Sequence, residues 1–142
     1  MFTGIITDVG EILEIRQDGD LWTRIGCTFQ QKEIAEGASI SHDGICLTVT
    51  EKGETNGQNW YTVNLSQETI QKTYITHNSS NWKVGGNINL ERSLKIGDEL
   101  GGHIVTGHID GIAVISDLVQ IGDSTSFTLK IPEPLRKFIA KK

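Results

Sequence analysis

The chain has 142 residues, 37% of them hydrophobic, with sixteen glycines, two prolines and a formal charge of −5. That length suits one domain with a real core, and a negative charge without any basic block argues against a nucleic-acid or acidic-membrane partner. No apolar run reaches membrane-spanning length and no secretory leader is visible, so Cys27 and Cys46 are expected as free thiols in a reducing cytoplasm. The glycosylation patterns at Asn64-Leu65-Ser66 and Asn78-Ser79-Ser80 are accordingly read as chance.

In chain order, Phe2, Ile5, Ile6, Val9, Ile12, Leu13 and Ile15 predict a long bent strand interrupted by Gly4 and Gly10. Gln17-Asp18-Gly19-Asp20 carries a turn, and Leu21–Phe29 returns as a strand. Gln31–Ala35 has the composition of about one helical turn, stopped by Gly37. Two alternating runs within Ala38–Thr50 flank Asp43-Gly44 and predict a β-hairpin. Asn56-Gly57 turns into a strand at Trp60–Leu65, and Ser66 is placed to cap a short helix through Gln67–Ile70. After loop residues at Asn78–Asn81, Val84-Gly85-Gly86 turns into a last strand, Asn87–Leu94. Six strands and two short helices with turns at short intervals predict a small closed or nearly closed antiparallel barrel.

Beyond a linker at Ile96–Gly102 the sequence restarts. Val105–Asp110 echoes Phe2–Thr7, and a shift of 103 positions lays Thr3 on Thr106, Gly4 on Gly107 and Ile6 on Ile109. The same shift lays Val9 on Ile112 and Ile12 on Ile115, and a shift of 105 lays Ile34-Ala35 on Ile139-Ala140. Such self-similarity marks two copies of one module. The second copy is expected to run as a long strand from His103 to Leu118, a turn at Gly122-Asp123, a strand at Ser126–Ile131, and a helix after Pro132-Glu133-Pro134. The expected partition is therefore a first barrel over 1–97 and a linker with the opening of a second barrel over 98–142.

Several segments resemble the first half of the riboflavin synthase alpha chain family, whose members carry two lumazine-binding repeats. They are Met1–Ile6, Asp43–Val49, Glu68-Thr69, Asn89–Arg92 and Gly101–His108. The resemblance spans the whole chain and lacks the rest of the second repeat and the C-terminal helix through which members form trimers. It implies an all-β, six-stranded antiparallel Greek-key barrel with two short helices, followed by an incomplete second copy.

The implied reaction is a dismutation of two molecules of 6,7-dimethyl-8-ribityllumazine. One passes a four-carbon unit to the other, giving riboflavin and 5-amino-6-ribitylaminouracil with no redox cofactor and no metal. By resemblance, Ser39, Cys46 and His108 are the catalytic candidates. Phe2 packs on the bound ring, Gly4-Ile5-Ile6 lines the site of the adjoining barrel, and Cys46-Leu47-Thr48 walls the pocket. Asn64, Leu65, Ser66, Gln67, Glu68 and Thr69 grip ring and ribityl chain, and Lys142 lies near the ligand of the second barrel. Asn64 and Ser66 stand where the family often has Asp and Met.

Each role has a plainer reading. Phe2 serves equally as a core residue, Gly4 as a structural glycine, Cys46 as a buried hairpin cysteine, Ser39 as an exposed strand serine, and Ser66, Glu68 and Thr69 as helix-capping residues. His103 and His108 lack the carboxylates or cysteines that would complete a metal site. The competing functional reading is a non-catalytic lumazine- or flavin-binding protein of the antenna type. A flavin barrel from an oxidoreductase is weaker, because no nicotinamide-binding βαβ pattern follows.

Overall fold

Alternating apolar residues bounded by left-handed turns fold into strands that close on themselves. The computed structural model describes residues 1–140. β1 (Asp8–Asp18), β2 (Asp20–Cys27), β3 (Ser39–His42), β4 (Ile45–Thr55), β5 (Gln58–Leu65) and β6 (Asn87–Arg92) form a closed antiparallel barrel in the order β1-β2-β5-β4-β3-β6. The closing seam pairs Asp8 with Leu90 and Gly10 with Ile88. Closure removes the unpaired edges that an open six-stranded sheet would expose.

The hairpins form where the turn chemistry lies. Asp43 and Gly44 take φ of 47° and 90°, and Asn56 and Gly57 take 52° and 82°. Positive φ at both central residues matches the twist of the flanking strands. Inward residues fill the barrel: Ile12, Ile25, Ile40, Val49, Val63, Leu65, Ile88 and Leu90 are buried. Among them sits a polar group. Tyr61 Oη and His42 Nε2 share a 2.8 Å hydrogen bond, and the Trp82 indole packs edge-on to His42 and donates to Thr23 Oγ1 at 3.2 Å.

β7 (Val114–Ile121) and β8 (Ser124–Lys130) form a separate two-stranded sheet, followed by a 3-10 turn at Glu133–Phe138. This hairpin repeats β1–β2 in detail. Both carry a bulge at the same place, between Ile12 and Glu14 and between Ile115 and Asp117. Gln17 Nε2 donates to the Gly19 carbonyl at 2.7 Å, and Gln120 Nε2 donates to the Gly122 carbonyl at 2.9 Å. Gly4 and Gly107 both take left-handed φ, 83° and 75°, and each follows a threonine whose Oγ1 accepts from the amide two residues on. The second copy is therefore the start of a barrel, with the hydrophobic side chains Val114, Ile115, Leu118, Phe127 and Leu129 exposed on its two strands.

Three expectations are corrected. The first strand begins at Asp8 rather than Phe2, because left-handed Gly4 breaks the ladder and Phe2 makes only an isolated bridge to Val105. The matching strand of the second copy begins at Val114 rather than His103 for the same reason at Gly107. The first helical turn is a 3-10 turn over Gln31–Glu33, where Glu33 Oε2 accepts from the Gln30 amide at 2.9 Å. No helix among the described residues is long and apolar enough to cross a membrane.

Candidate functional site

A cleft of about 360 Å³ opens where three elements meet: the start of β4, the helix α1 (Gln67–Lys72), and the irregular segment after Val105. Ile45 and Cys46 form one wall, Glu68, Thr69, Lys72 and Thr73 a second, and Gly107, His108, Ile109 and Asp110 the third. Its volume falls within the range of small-molecule sites.

Local chemistry fixes each wall. The hairpin tip is held by Asp43, whose Oδ1 accepts from the Asn89 amide at 2.8 Å and whose Oδ2 accepts from Tyr74 Oη at 3.1 Å. Burial and the neighbouring Asp43 push the Tyr74 phenol up to about 12, so it remains a donor. The helix starts at Ser66, whose Oγ accepts from the Thr69 amide at 3.2 Å, and Gln67 Nε2 ties it back to the Gly19 carbonyl at 3.0 Å. Thr73 Oγ1 donates to the Thr69 carbonyl at 2.7 Å and closes the last turn. The capping role expected of Ser66 is thus present.

The third wall belongs to the second copy and crosses over the first barrel. The Gly107 carbonyl accepts from the Cys46 amide at 2.8 Å. A Cβ on Gly107 would lie 2.9 Å from Cys46 Cβ and 3.1 Å from Phe2 Cε2, so the crossing is as close as backbone allows. With φ of 75° as well, the position admits glycine alone without strain.

The predicted residues divide. Cys46, Glu68, Thr69 and His108 come together in the cleft. Leu47 and Leu65 point into the barrel core, and Thr48, Asn64, Ser66 and Gln67 are exposed or partly exposed near the cleft without lining it. Ser39 lies at the far end of the β3–β4 pair, opposite Thr48. Phe2 is 1% exposed and packs beneath Gly107. Gly4, Ile5 and Ile6 occupy the place in the first copy that Gly107, His108 and Ile109 occupy in the second and do not line this cleft, and Ile5 borders a separate hollow with Thr3 and Glu91. Lys142 lies outside the described residues.

Sequence reasoning passed over Ile45, Lys72, Thr73, Ile109 and Asp110. Lys72 and Thr73 lie four residues after Glu68 and Thr69, so helical spacing already put them on one face. The two thiols also differ. Burial pushes Cys27 up to about 11, and only Cys46 reaches the cleft. Among the described residues no three His, Cys, Asp or Glu side chains gather as a metal site.

Residues 3–93 match the family model described as the lumazine binding domain. The riboflavin synthase of Brucella abortus (strain 2308) is 46% identical over 147 residues, which cover 100% of this chain and 69% of that protein. The riboflavin synthase of Actinobacillus pleuropneumoniae is 35% identical, over 100% of this chain and 63% of the relative. Among solved structures, LumP complexed with riboflavin superposes with a TM-score of 0.68 at 26% identity, over 98% of this chain and 72% of that one. LumP complexed with 6,7-dimethyl-8-(1'-D-ribityl) lumazine gives 0.65 at 26% identity, over 94% and 70%.

Proposed function

The chain belongs to the lumazine-binding domain family, and from that premise we propose that it is part of a riboflavin synthase: residues 1–97 a first barrel, and 98–142 a linker and the opening of a second. The observation that carries this reading is the cleft itself, walled by the first barrel on two sides and by the second copy on the third. In this reading the cleft seats one lumazine, and the second molecule sits in the similar pocket of a second-copy barrel supplied by a neighbouring subunit.

The proposed reaction is the dismutation of two 6,7-dimethyl-8-ribityllumazine molecules. Two carbon–carbon bonds form as a four-carbon unit moves from donor to acceptor, the donor's two carbon–nitrogen bonds to that unit break, and its nitrogens take up protons and leave in 5-amino-6-ribitylaminouracil. The redox change balances between the two substrates, so no external oxidant enters. The 7-methyl protons of the lumazine are acidic because the carbanion delocalises into the ring, so modest general acid–base help suffices. Holding the two rings face to face supplies much of the remainder by making a bimolecular step effectively intramolecular.

Within the cleft, Glu68 and Thr69 offer an acceptor and a hydroxyl suited to a ribityl chain. The imidazole of His108 and the thiol of Cys46 border the same space, where a ring edge exchanging a proton would lie. Ser39, outside this cleft, acts in this reading from the other side of the hairpin. The partners are the lumazine substrate and riboflavin, and a homotrimer in the cytoplasm is the assembly and location that accompany the family reading.

For the 142-residue chain we infer ligand binding with turnover that is poor or absent, since the second seat has only β7 and β8 among the described residues. A non-catalytic lumazine- or flavin-binding protein is the second reading, favoured by the similarity to the LumP complexes. Incubation of a version carrying both complete repeats with 6,7-dimethyl-8-ribityllumazine, followed by riboflavin fluorescence, separates them. Riboflavin formation supports the synthase. Tight binding with no product over many hours supports the binding protein.

A further inference from the structure

Glu91 forms the tightest buried polar cluster among the described residues. It is 7% exposed and sits on β6, outside the cleft. One carboxylate oxygen accepts from both the Thr3 amide and Thr3 Oγ1, each at 2.6 Å, and the other accepts from the Gly4 amide at 3.0 Å. Three donors on one carboxylate make charge-assisted bonds that an amide side chain cannot all replace.

What Glu91 holds in turn holds the crossing segment. The Thr3 carbonyl accepts from the His103 amide at 3.0 Å, and Phe2 exchanges both backbone hydrogen bonds with Val105. The approach at Thr3 is close enough that a Cβ on Gly102 would lie 2.3 Å from the Thr3 carbonyl oxygen. Two residues after Val105, the Gly107 carbonyl reaches the Cys46 amide, and His108 enters the cleft. Thr106 stands where Thr3 stands in the first copy, and its Oγ1 has no carboxylate partner among the described residues. The crossing segment is therefore anchored from the Thr3 side.

We propose that Glu91 is a positioning residue for the cleft: by clamping Thr3 and Gly4 it sets, through Phe2 and Val105, where Gly107 and His108 lie over Cys46. Its effect on ligand affinity rests on the cleft being the lumazine site. Its effect on the crossing segment does not.

The test is amide hydrogen exchange on the 142-residue chain and its Glu91→Gln variant, followed by titration with 6,7-dimethyl-8-ribityllumazine. Exchange at Phe2, Val105 and Cys46 rises about tenfold or more in the variant, while Ile25 and Val63 in the β2–β5 ladder keep their protection. Affinity for the lumazine falls about tenfold, whereas Val63→Ala, which lowers the melting temperature without touching the clamp, leaves affinity within about twofold. Should Glu91→Gln not fold, Thr3→Val removes one donor and gives the same pattern in smaller measure, and Thr3→Ser restores it. Unchanged exchange at Cys46 overturns the proposal, and so does an equal loss of protection throughout the barrel. If the parent chain binds no lumazine, the site reading fails and the exchange pattern still decides the role of Glu91.

Discussion

Phe2 and Val105 pair antiparallel across the molecule: the Phe2 amide donates to the Val105 carbonyl at 2.8 Å, and the Val105 amide donates back at 3.0 Å. They are one position in two copies, 103 residues apart. A residue that pairs with its own equivalent marks a local two-fold relation, as in an isologous dimer interface. The duplication therefore works inside one chain as a dimer works between chains, and the second copy's Thr106-Gly107 segment crosses to the first barrel.

Gly107→Ala tests the crossing. Alanine at this left-handed φ costs about 1 kcal/mol in backbone strain, and its Cβ forces Gly107 away from Cys46 and Phe2. Lumazine affinity measured by titration falls about tenfold or more, while the barrel melts within a few degrees of the parent. Unchanged affinity means the third wall is not part of the site.

Cys46→Ser and His108→Ala change groups that line the cleft, and Ser39→Ala changes one that does not. Each of the first two weakens lumazine binding about fivefold or more, and Ser39→Ala leaves it within about twofold. Equal losses at all three positions mean that the cleft has been placed wrongly.

Acid stability follows from His42. Burial pushes its imidazole down to about 4 from an ordinary 6.5, so the folded state holds it neutral while the unfolded chain takes up a proton below pH 6.5. Stability is full above pH 6.5, falls as pH drops through the window to about 4, and levels off below it. This group alone contributes a loss of about 3 kcal/mol. Urea unfolding at pH 7, 5 and 4 measures it. The double variant His42→Leu/Tyr61→Phe removes both partners of the buried hydrogen bond together and flattens that slope. A parent-like slope in the double variant assigns the acid sensitivity elsewhere.

Ser66→Ala removes the α1 cap and costs about 1 kcal/mol, read from the urea midpoint, whereas Ser66→Asp keeps an acceptor and costs little. Because Glu68 and Thr69 ride on that first turn, lumazine affinity falls with Ser66→Ala as well. An Asp variant as weak as the Ala variant assigns Ser66 a ligand contact beyond capping.

The barrel was legible because its strands carry local signals that agree with each other. Asp43-Gly44 and Asn56-Gly57 turn where their side chains and backbone require, and alternation points Ile40, Val49 and Val63 inward. The repeat was legible too, in Thr3 and Gly4 laid on Thr106 and Gly107, and the structure extends it to Gln17 and Gln120, whose amides close equivalent turns.

The crossing segment was not legible. His103–Ala113 has the apolar spacing of a strand, yet within it only Val105 finds a strand-like partner, and that partner is a hundred residues away. Nothing local announces that Gly107 must turn left-handed to reach Cys46. Glu91 shows the same limit. It reads as one more polar residue of the last strand, and its importance lies in Thr3 and Gly4, brought to it only by closure of the barrel. The cleft was half visible, in Cys46, Glu68, Thr69 and His108, with Lys72 implied by helical spacing from Glu68, while Ile109 and Asp110 became visible only with the walls in place.

The most direct measurement is the stoichiometry of 6,7-dimethyl-8-ribityllumazine on the 142-residue chain, taken from saturating absorbance and fluorescence titrations at protein concentrations above the dissociation constant. One ligand per chain, quenched or shifted on binding and displaced by riboflavin, is the expected result for a single cleft built by one barrel and the crossing segment of its copy. Two ligands per chain, or none, contradicts it.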